Sequence, residues 1–295
     1  MKGIPLFLQE NAEVGQYSGY KTRVTARYFY EIKSPKEVGL LHEIYQFSQI
    51  TNLPIIFISG GTNILFSQSQ MQAIIIKNSL DGWEYDTEKK ELHCQSNAII
   101  TDIAKALEND FGQDIWHRFI GLPGTIAGSV VGNAGCFGLE VGPFFVSGKA
   151  FDMKQNKLIT LSADDMKFDY RHSFLKENRD IFLISADFDL SKLREKYASD
   201  ADVIDFRENK QPKGNSCGSF FKNPSRENPA GKLIEQVGLK GFRNKGAFFS
   251  DLHSNFLMSD GETCQPEDLI ELVKMTQKIV KFETGFDLEP EIRIV

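Results

Sequence analysis

The sequence predicts an α+β protein in two parts, and three observations predict it. Helix and strand patterns alternate through the first third of the chain, an apolar glycine-rich segment spans Gly121 to Gly148, and a charged stretch from Ser191 to Asn209 sets off a C-terminal unit of about 90 residues. At 295 residues the chain has the length for about two domains of roughly 150 residues each, with a core that needs no disulfide staples. With 41% hydrophobic and 25% charged residues, it has the composition of a soluble globular protein.

The elements follow in order. Ser34-Pro35-Lys36-Glu37 reads as a capping box with proline at the first helical position, and Val38, Leu41, Ile44, Tyr45 and Ser48 continue at helical spacing to about Asn52. Leu53 to Ile58 reads as a buried strand running into Gly60-Gly61, and Ala73 to Lys77 as another. Ile100, Ile103, Ala104, Leu107 and Phe111 mark a second amphipathic helix, closed by Gly112. The Gly121–Gly148 segment is no linker, because Leu122, Ile126, Val130, Val131, Phe137, Phe144 and Phe145 call for burial. The last unit ends in a helix from about Pro266 to Phe282, then Gly285 and a short terminal strand. No repeat or low-complexity tract interrupts the chain.

A formal net charge of −6 argues against a general nucleic-acid binder, whose phosphate contacts need a basic surface, yet permits a local phosphate pocket. Cys94, Cys136, Cys217 and Cys264 lie far apart with no C-x-x-C pair, so reduced thiols are expected and neither a metal site nor a redox dithiol. The apolar run Ile4 to Leu8 is too short for a signal peptide, and no stretch approaches the roughly 20 apolar residues that span a bilayer. A cytoplasmic monomer with no membrane or nucleic-acid partner is the expectation.

Three constellations carry chemistry. Ser59-Gly60-Gly61-Thr62-Asn63 follows a strand; paired glycines let successive amides approach a phosphate, while Ser59, Thr62 and Asn63 add side-chain donors. Alone, it equally describes a tight turn. Gly121-Leu122-Pro123-Gly124-Thr125-Ile126-Ala127-Gly128 and Gly132-Asn133-Ala134-Gly135-Cys136-Phe137-Gly138 can wrap a diphosphate in backbone donors without many lysines, which suits an acidic protein. Neither G-x-G-x-x-G nor G-x-x-x-x-G-K-[ST] occurs, which disfavours a Rossmann fold and a P-loop. The third set is Tyr170 to Phe174, the turn Gly218-Ser219-Phe220-Phe221-Lys222-Asn223-Pro224, and Leu288 to Arg293. A guanidinium, a hydroxyl and a carboxylate can grip a carboxylate substrate, deliver a proton and stabilise developing charge. Read singly, Arg171 is equally a surface ion-pair residue, Ser219 a turn residue and Glu291 a charge beside a strand.

In their order these segments resemble the UDP-N-acetylenolpyruvoylglucosamine reductase family, in the pieces Ser59 to Leu65, Gly121 to Gly138, Tyr170 to Phe174, Arg207 to Pro212, Gly218 to Pro224, Ala230 to Gly241, Gly246 to Met258 and Leu288 to Ile294. G-S-F-F-K-N-P followed by A-G-x-L-I-E and a terminal E-P-E-I-R is the specific part. The resemblance implies a PCMH-type FAD-binding domain of the vanillyl-alcohol-oxidase kind over residues 1–195, in subdomains of about 1–78 and 79–195, and a C-terminal α+β substrate-binding domain over 196–295. About 48 positions separate Arg171 from Ser219, as in the shorter family variety that lacks an inserted loop and its substrate-binding tyrosine.

Carried over residue by residue, the resemblance implies Ser219 as proton donor, with Arg171 and Glu291 stabilising the enolate. It implies FAD contacts at Ser59, Gly60, Gly61, Thr62, Asn63, Ile64, Leu65, Gly121, Leu122, Pro123, Gly124, Thr125, Gly128, Ser129, Asn133, Ala134, Gly135 and Arg207. It implies substrate contacts at Lys210, Asn223 and His253, although a structural histidine is the ordinary reading of His253. FAD as cofactor, NADPH as co-substrate and the enolpyruvyl ether of UDP-N-acetylglucosamine as substrate follow. Lys222, three residues beyond Ser219, is read as a source of electrostatic field for it. The chain departs from the family where Tyr20 to Ala26 stand in place of T-F-R-I-G-G-P-A, where Lys245-Gly246 replace a glycine pair, where Ala127 replaces a glycine, and in stopping at Val295 instead of continuing through a glycine.

Overall fold

The computed structural model describes residues 4–191, 204, 207, 209 and 211–295. Contacts group the chain into two compact units. The first is Met1–Gln9, Phe29–Gly60 and Ile74–Asp205; the second is Glu10–Tyr28, Gly61–Ala73 and Phe206–Val295. The boundary expected between residues 195 and 196 lies outside the described residues. No helix among the described residues is long and apolar enough to cross a membrane.

In the first unit the Ser34 capping box forms, with Ser34 Oγ accepting from the Lys36 amide at 3.3 Å and the Glu37 carboxylate taking the amides of Lys33 and Ser34. It closes one 3-10 turn, Pro35–Glu37. The α-helix proper, α1 (Leu40–Thr51), starts after Gly39 and stops on Asn52 in the left-handed region at φ 60°. Strand β1 (Ile55–Ile58) then pairs in parallel with β2 (Gln70–Asn78), Ile55 opposite Ile74. Ile74, Ile75 and Ile76 are all fully buried, as an unalternating isoleucine run in a parallel pair requires.

Strands β3 (Trp83–Asp86), β4 (Glu91–Gln95), β5 (Phe145–Asp152), β6 (Lys157–Ser162) and β7 (Ile181–Asp189) form an antiparallel sheet in the order β6-β5-β7-β4-β3. Helix α2 (Ile100–Phe111) ends on Gly112 at φ 63°, where the predicted C-cap stands. Its Ile100, Ile103, Ala104 and Leu107 join Trp116, Phe119, Phe144 and Phe188 and, from α3 (Ile126–Val131), Ile126 and Val130 in one core. Each large side chain so buried contributes about 1.5–3 kcal/mol.

The second unit has its own sheet and core. Strands β8 (Asn215–Ser219), β9 (Ala247–Phe249) and β10 (Phe256–Ser259) run in the order β8-β10-β9, with Arg243–Asn244 outside β9. Helices α4 (Ala230–Gln236) and α5 (Pro266–Thr284) cover it with Leu233, Ile234, Leu269, Leu272, Val273 and Val280. The terminal pair Arg293–Ile294 lies parallel to Ile64–Leu65, which draws residues 61–73 into this unit.

Two departures from the family pattern have physical accounts. Lys245 occupies a left-handed position at φ 54°, costing about 1–2 kcal/mol for a residue with a Cβ, and its Nζ reaches Asp268 at 2.9 Å and Glu271 at 3.1 Å. Those carboxylates, Asp268 first, hold its ammonium above the ordinary lysine value. Tyr20 is fully buried in the second core, so the divergent N-terminal segment serves packing.

Candidate active site

The first unit brings the Ser59-Gly60 turn against the Gly124-Thr125 turn. Thr125 Oγ1–H donates to Ser59 Oγ at 2.8 Å, and Ser59 Oγ–H donates to Asn97 Oδ1 at 2.8 Å. The Ser59 proton is thereby committed to Asn97, and Ser59 orders the turn. A Cβ built at Gly60 would stand 3.2 Å from Thr125 Cγ2, so the absent side chain keeps the two turns in register. Gly121 and Gly124 adopt φ of 78° and 150°, and Gly121 donates its amide to Thr101 Oγ1 at 2.6 Å. In α3 the amides of Ile126 and Ala127 go to the carbonyls of Ala98 and Ser96, and the Gly128 amide meets Thr125 Oγ1 at 3.4 Å. Leu122, Pro123 and Ser129 complete this stretch, with Ser129 buried and its carbonyl taking the Ala134 amide at 2.7 Å.

The second glycine turn is pinned from several sides. Asn133, buried at φ 42°, donates Nδ2–H to Glu140 Oε2 and to the Asp169 carbonyl, both at 3.0 Å, and accepts the Gly142 amide at 2.9 Å. Its side chain therefore serves the turn. Arg171, itself at φ 55°, donates from Nη2 to the Gly135 carbonyl at 2.9 Å, with its guanidinium 5.1 Å from the centre of the Tyr170 ring. Arg118, which no sequence motif marks, is buried and donates to the Phe137 carbonyl at 2.8 Å, while Cys136 Sγ–H donates to the Arg118 carbonyl at 3.1 Å. Two arginines thus hold three consecutive residues, 135–137.

The second unit collects another set. Cys217, on β8, donates Sγ–H toward the Gly61 and Ile64 carbonyls at 3.7 and 3.5 Å, and burial pushes its thiol up to about 11. Gly61, at φ 69°, has no room for a side chain against the Tyr17 carbonyl. The Asn63 carbonyl accepts the Arg293 amide at 3.1 Å, and Ile64 and Leu65 are buried beside the terminal strand. Thr62 stands in the same turn, and Arg207 is buried. Lys210 lies outside the described residues.

Ser219 ends β8 after a register shift against β10, with Gly218 at φ 79° just before it. The residues after it are fixed by Asn255, which no sequence motif marks. The Asn255 carbonyl accepts the Phe220 amide at 2.7 Å, and its side chain accepts the Phe221 amide at 2.9 Å and donates to the Phe221 carbonyl at 2.8 Å. The Glu291 amide donates to the Phe220 carbonyl at 2.8 Å, which brings Glu291 beside the Ser219 turn. Lys222 Nζ pairs with Glu289 at 2.9 Å, so its charge is answered there, and it is absent from the residues that line the cavity holding Ser219.

That cavity, about 640 Å³, is lined by Ser219, Asn223, Lys232, Glu235, His253 and Asn255 among others. Such a volume falls in the range of ligand sites. Asn223 also accepts the Ala230 amide at 3.0 Å and so caps α4. His253 Nδ1 accepts the Asn255 amide at 3.2 Å, and burial holds the imidazole below the ordinary histidine value. Both effects favour the neutral ring with its proton on Nε2. Ser219, Asn223 and His253 therefore share one cavity, whereas Arg171 and the Gly121–Gly138 turns belong to the first unit.

Compared with known proteins, residues 210–295 match the family described as UDP-N-acetylenolpyruvoylglucosamine reductase, C-terminal domain, and residues 32–146 match the FAD binding domain family. The chain is 30% identical over 295 residues to the UDP-N-acetylenolpyruvoylglucosamine reductase of Synechococcus sp. (strain RCC307), with 97% of this chain and 93% of that protein covered. It is 31% identical over 294 residues to the enzyme of the same name from Chlamydia muridarum, covering 99% and 95%. In fold it resembles the crystal structure of UDP-N-acetylenolpyruvylglucosamine reductase from Thermus caldophilus, with a TM-score of 0.75 at 22% identity over 98% of this chain and 99% of that one.

Proposed function

The chain belongs to the UDP-N-acetylenolpyruvoylglucosamine reductase family, and on that premise we propose how its residues divide the reaction. It is an FAD-containing oxidoreductase of the expected fold class, a vanillyl-alcohol-oxidase-type FAD-binding domain with a C-terminal α+β domain. With NADPH as reductant it reduces the enolpyruvyl double bond of UDP-N-acetylglucosamine enolpyruvate to a lactyl ether in peptidoglycan precursor synthesis.

The residues present fit a flavin dinucleotide. Gly60 set against Thr125, with Gly121 and Gly124 at positive φ, lets backbone approach a diphosphate where side chains would intrude. FAD, when bound, supplies the two-electron chemistry between NADPH and the double bond. The residues that would hold it, by the family relationship, are Ser59, Gly60, Gly61, Thr62, Asn63, Ile64, Leu65, the Gly121–Thr125 turn, Gly128, Ser129, Asn133–Gly135 and Arg207.

Hydride addition to the double bond leaves charge on the carboxylate side of the substrate. Arg171 and Glu291 stabilise that charge; one preorganised donor is worth about 3–4 kcal/mol of barrier in other enzymes. Ser219 Oγ–H hands its proton to the neighbouring carbon, and Lys210, Asn223 and His253 hold the substrate. The observation that supports this most is the cavity in which Ser219 meets Asn223 and His253, with Glu291 hydrogen-bonded to the residue next to Ser219. Both co-substrates are charged nucleotides that do not cross a bilayer, which supports a cytoplasmic enzyme.

Ser219→Ala tests the assignment. Reduction of bound flavin by NADPH stays at the wild-type rate, and reoxidation by the enolpyruvyl substrate slows by about 10²–10⁴-fold, the usual worth of a general acid. Normal rates in both halves would remove Ser219 from the reaction.

A further inference from the structure

The Ser219 cavity contains a cation that neither the sequence motifs nor the proposed reaction employs. Three titratable side chains line the cavity: Lys232, Glu235 and His253. Glu235 is already answered, by Lys240 Nζ at 3.0 Å and Ser254 Oγ at 3.3 Å, and the Lys240 hydrogen bond holds its carboxyl below the usual range. His253 is the neutral imidazole described above. Lys232 forms no ion pair among the described residues.

Its placement in the helix is also unfavourable. Lys232 stands in the first turn of α4, where the helix dipole opposes a cation by about 0.3–1 kcal/mol, and no acidic residue in that turn offsets it. Its neighbour Gly231 also lines the cavity and costs roughly 0.5–1 kcal/mol of helix stability relative to alanine. A Cβ there would meet His253 Cε1 and Asn255 Cβ at 3.7 Å, ordinary contact distance, so packing alone does not require glycine. Two residues that local helix stability disfavours thus stand side by side on the cavity wall. Local rules are broken in this way where a ligand supplies the compensation.

We propose that Lys232 is a ligand-binding residue that receives a nucleotide diphosphate in the Ser219 cavity, with Gly231 leaving room for it and His253 Nε2–H as a neutral donor. The proposal rests on the functional reading above. The diphosphate has two sources, the UDP-sugar and NADPH, and both present the same chemistry to an ammonium group.

The test uses the FAD-loaded protein with Lys232→Ala, Lys232→Glu and Lys232→Arg. Three quantities are measured: KM for the enolpyruvyl UDP-sugar, the concentration dependence of flavin reduction by NADPH, and affinity for UDP by calorimetry. Lys232→Ala is expected to raise KM for the UDP-sugar and weaken UDP binding about tenfold, or about 1.4 kcal/mol. Its kcat and flavin content stay within about twofold, because the lost contact is uniform binding. Lys232→Glu loses more, and Lys232→Arg recovers most of the loss. A rise confined to the NADPH constant assigns the diphosphate to NADPH. Unchanged UDP-sugar, NADPH and UDP constants in both Lys232→Ala and Lys232→Glu overturn the proposal. Wild-type protein that shows no turnover dependent on the UDP-sugar instead overturns the functional reading, while the UDP titration still reads Lys232.

Discussion

Replacing Asn255 with alanine isolates what holds the Ser219 turn in place. Asn255 is only 3% exposed and bonds both backbone groups of Phe221, at 2.9 and 2.8 Å. The substitution leaves a buried N–H and a buried C=O without partners, each costing about 1–3 kcal/mol. Side-chain entropy no longer lost on folding returns about 1 kcal/mol, so the net local cost is about 3 kcal/mol. The bond from the Phe220 amide to the Asn255 carbonyl is main chain and survives. Tryptophan fluorescence reports poorly here, because Trp83 and Trp116 both belong to the first unit. Amide hydrogen exchange of the peptide containing Phe220 to Lys222 is the direct assay. About 3 kcal/mol corresponds to roughly a hundredfold faster exchange in that peptide. Flavin reduction by NADPH should be unchanged and reoxidation by substrate slower. Exchange within about threefold of wild type, a difference under about 0.7 kcal/mol, would refute the claim that Asn255 fixes this turn.

Two further predictions concern other parts of the molecule. Gly60→Ala forces its Cβ to within 3.2 Å of Thr125 Cγ2 and turns Thr125 off Ser59, so flavin retention after dialysis should fall about tenfold, the worth of one net hydrogen bond, with the melting temperature little changed. Asp260 accepts the Thr263 hydroxyl and the amides of Glu262, Thr263 and Cys264, which lower its carboxyl to about 2. A carboxyl depressed on folding contributes stability above its unfolded value that is lost as pH falls through the folded one. Asp260→Asn should therefore cost about 1 kcal/mol near neutral pH, after allowance for solvent screening, and the difference from wild type should disappear by about pH 2 in urea titrations.

Local signals were legible and distant partners were not. The α2 register, its Gly112 stop and the long α5 helix followed from spacing and caps, because each is decided within a few residues. Ser34 misplaced the start of α1, since its capping box is spent on a single 3-10 turn before Gly39. The membership of residues 61–73 in the second unit depends on the pairing of Ile64–Leu65 with Arg293–Ile294, which no periodicity encodes. At the site, the glycine turns and Ser219 carried motifs. Asn97, Arg118 and Asn255 carried none, because each acts on a partner brought near only by folding. The ion-pair partner of Lys222, Glu289, is likewise remote in sequence.

The most direct test of the account is NADPH oxidation by the purified, FAD-loaded protein with and without UDP-N-acetylglucosamine enolpyruvate. The account predicts steady oxidation that requires the enolpyruvyl substrate and yields UDP-N-acetylmuramate in equal amount. NADPH oxidation indifferent to that substrate, with FAD bound, would contradict it.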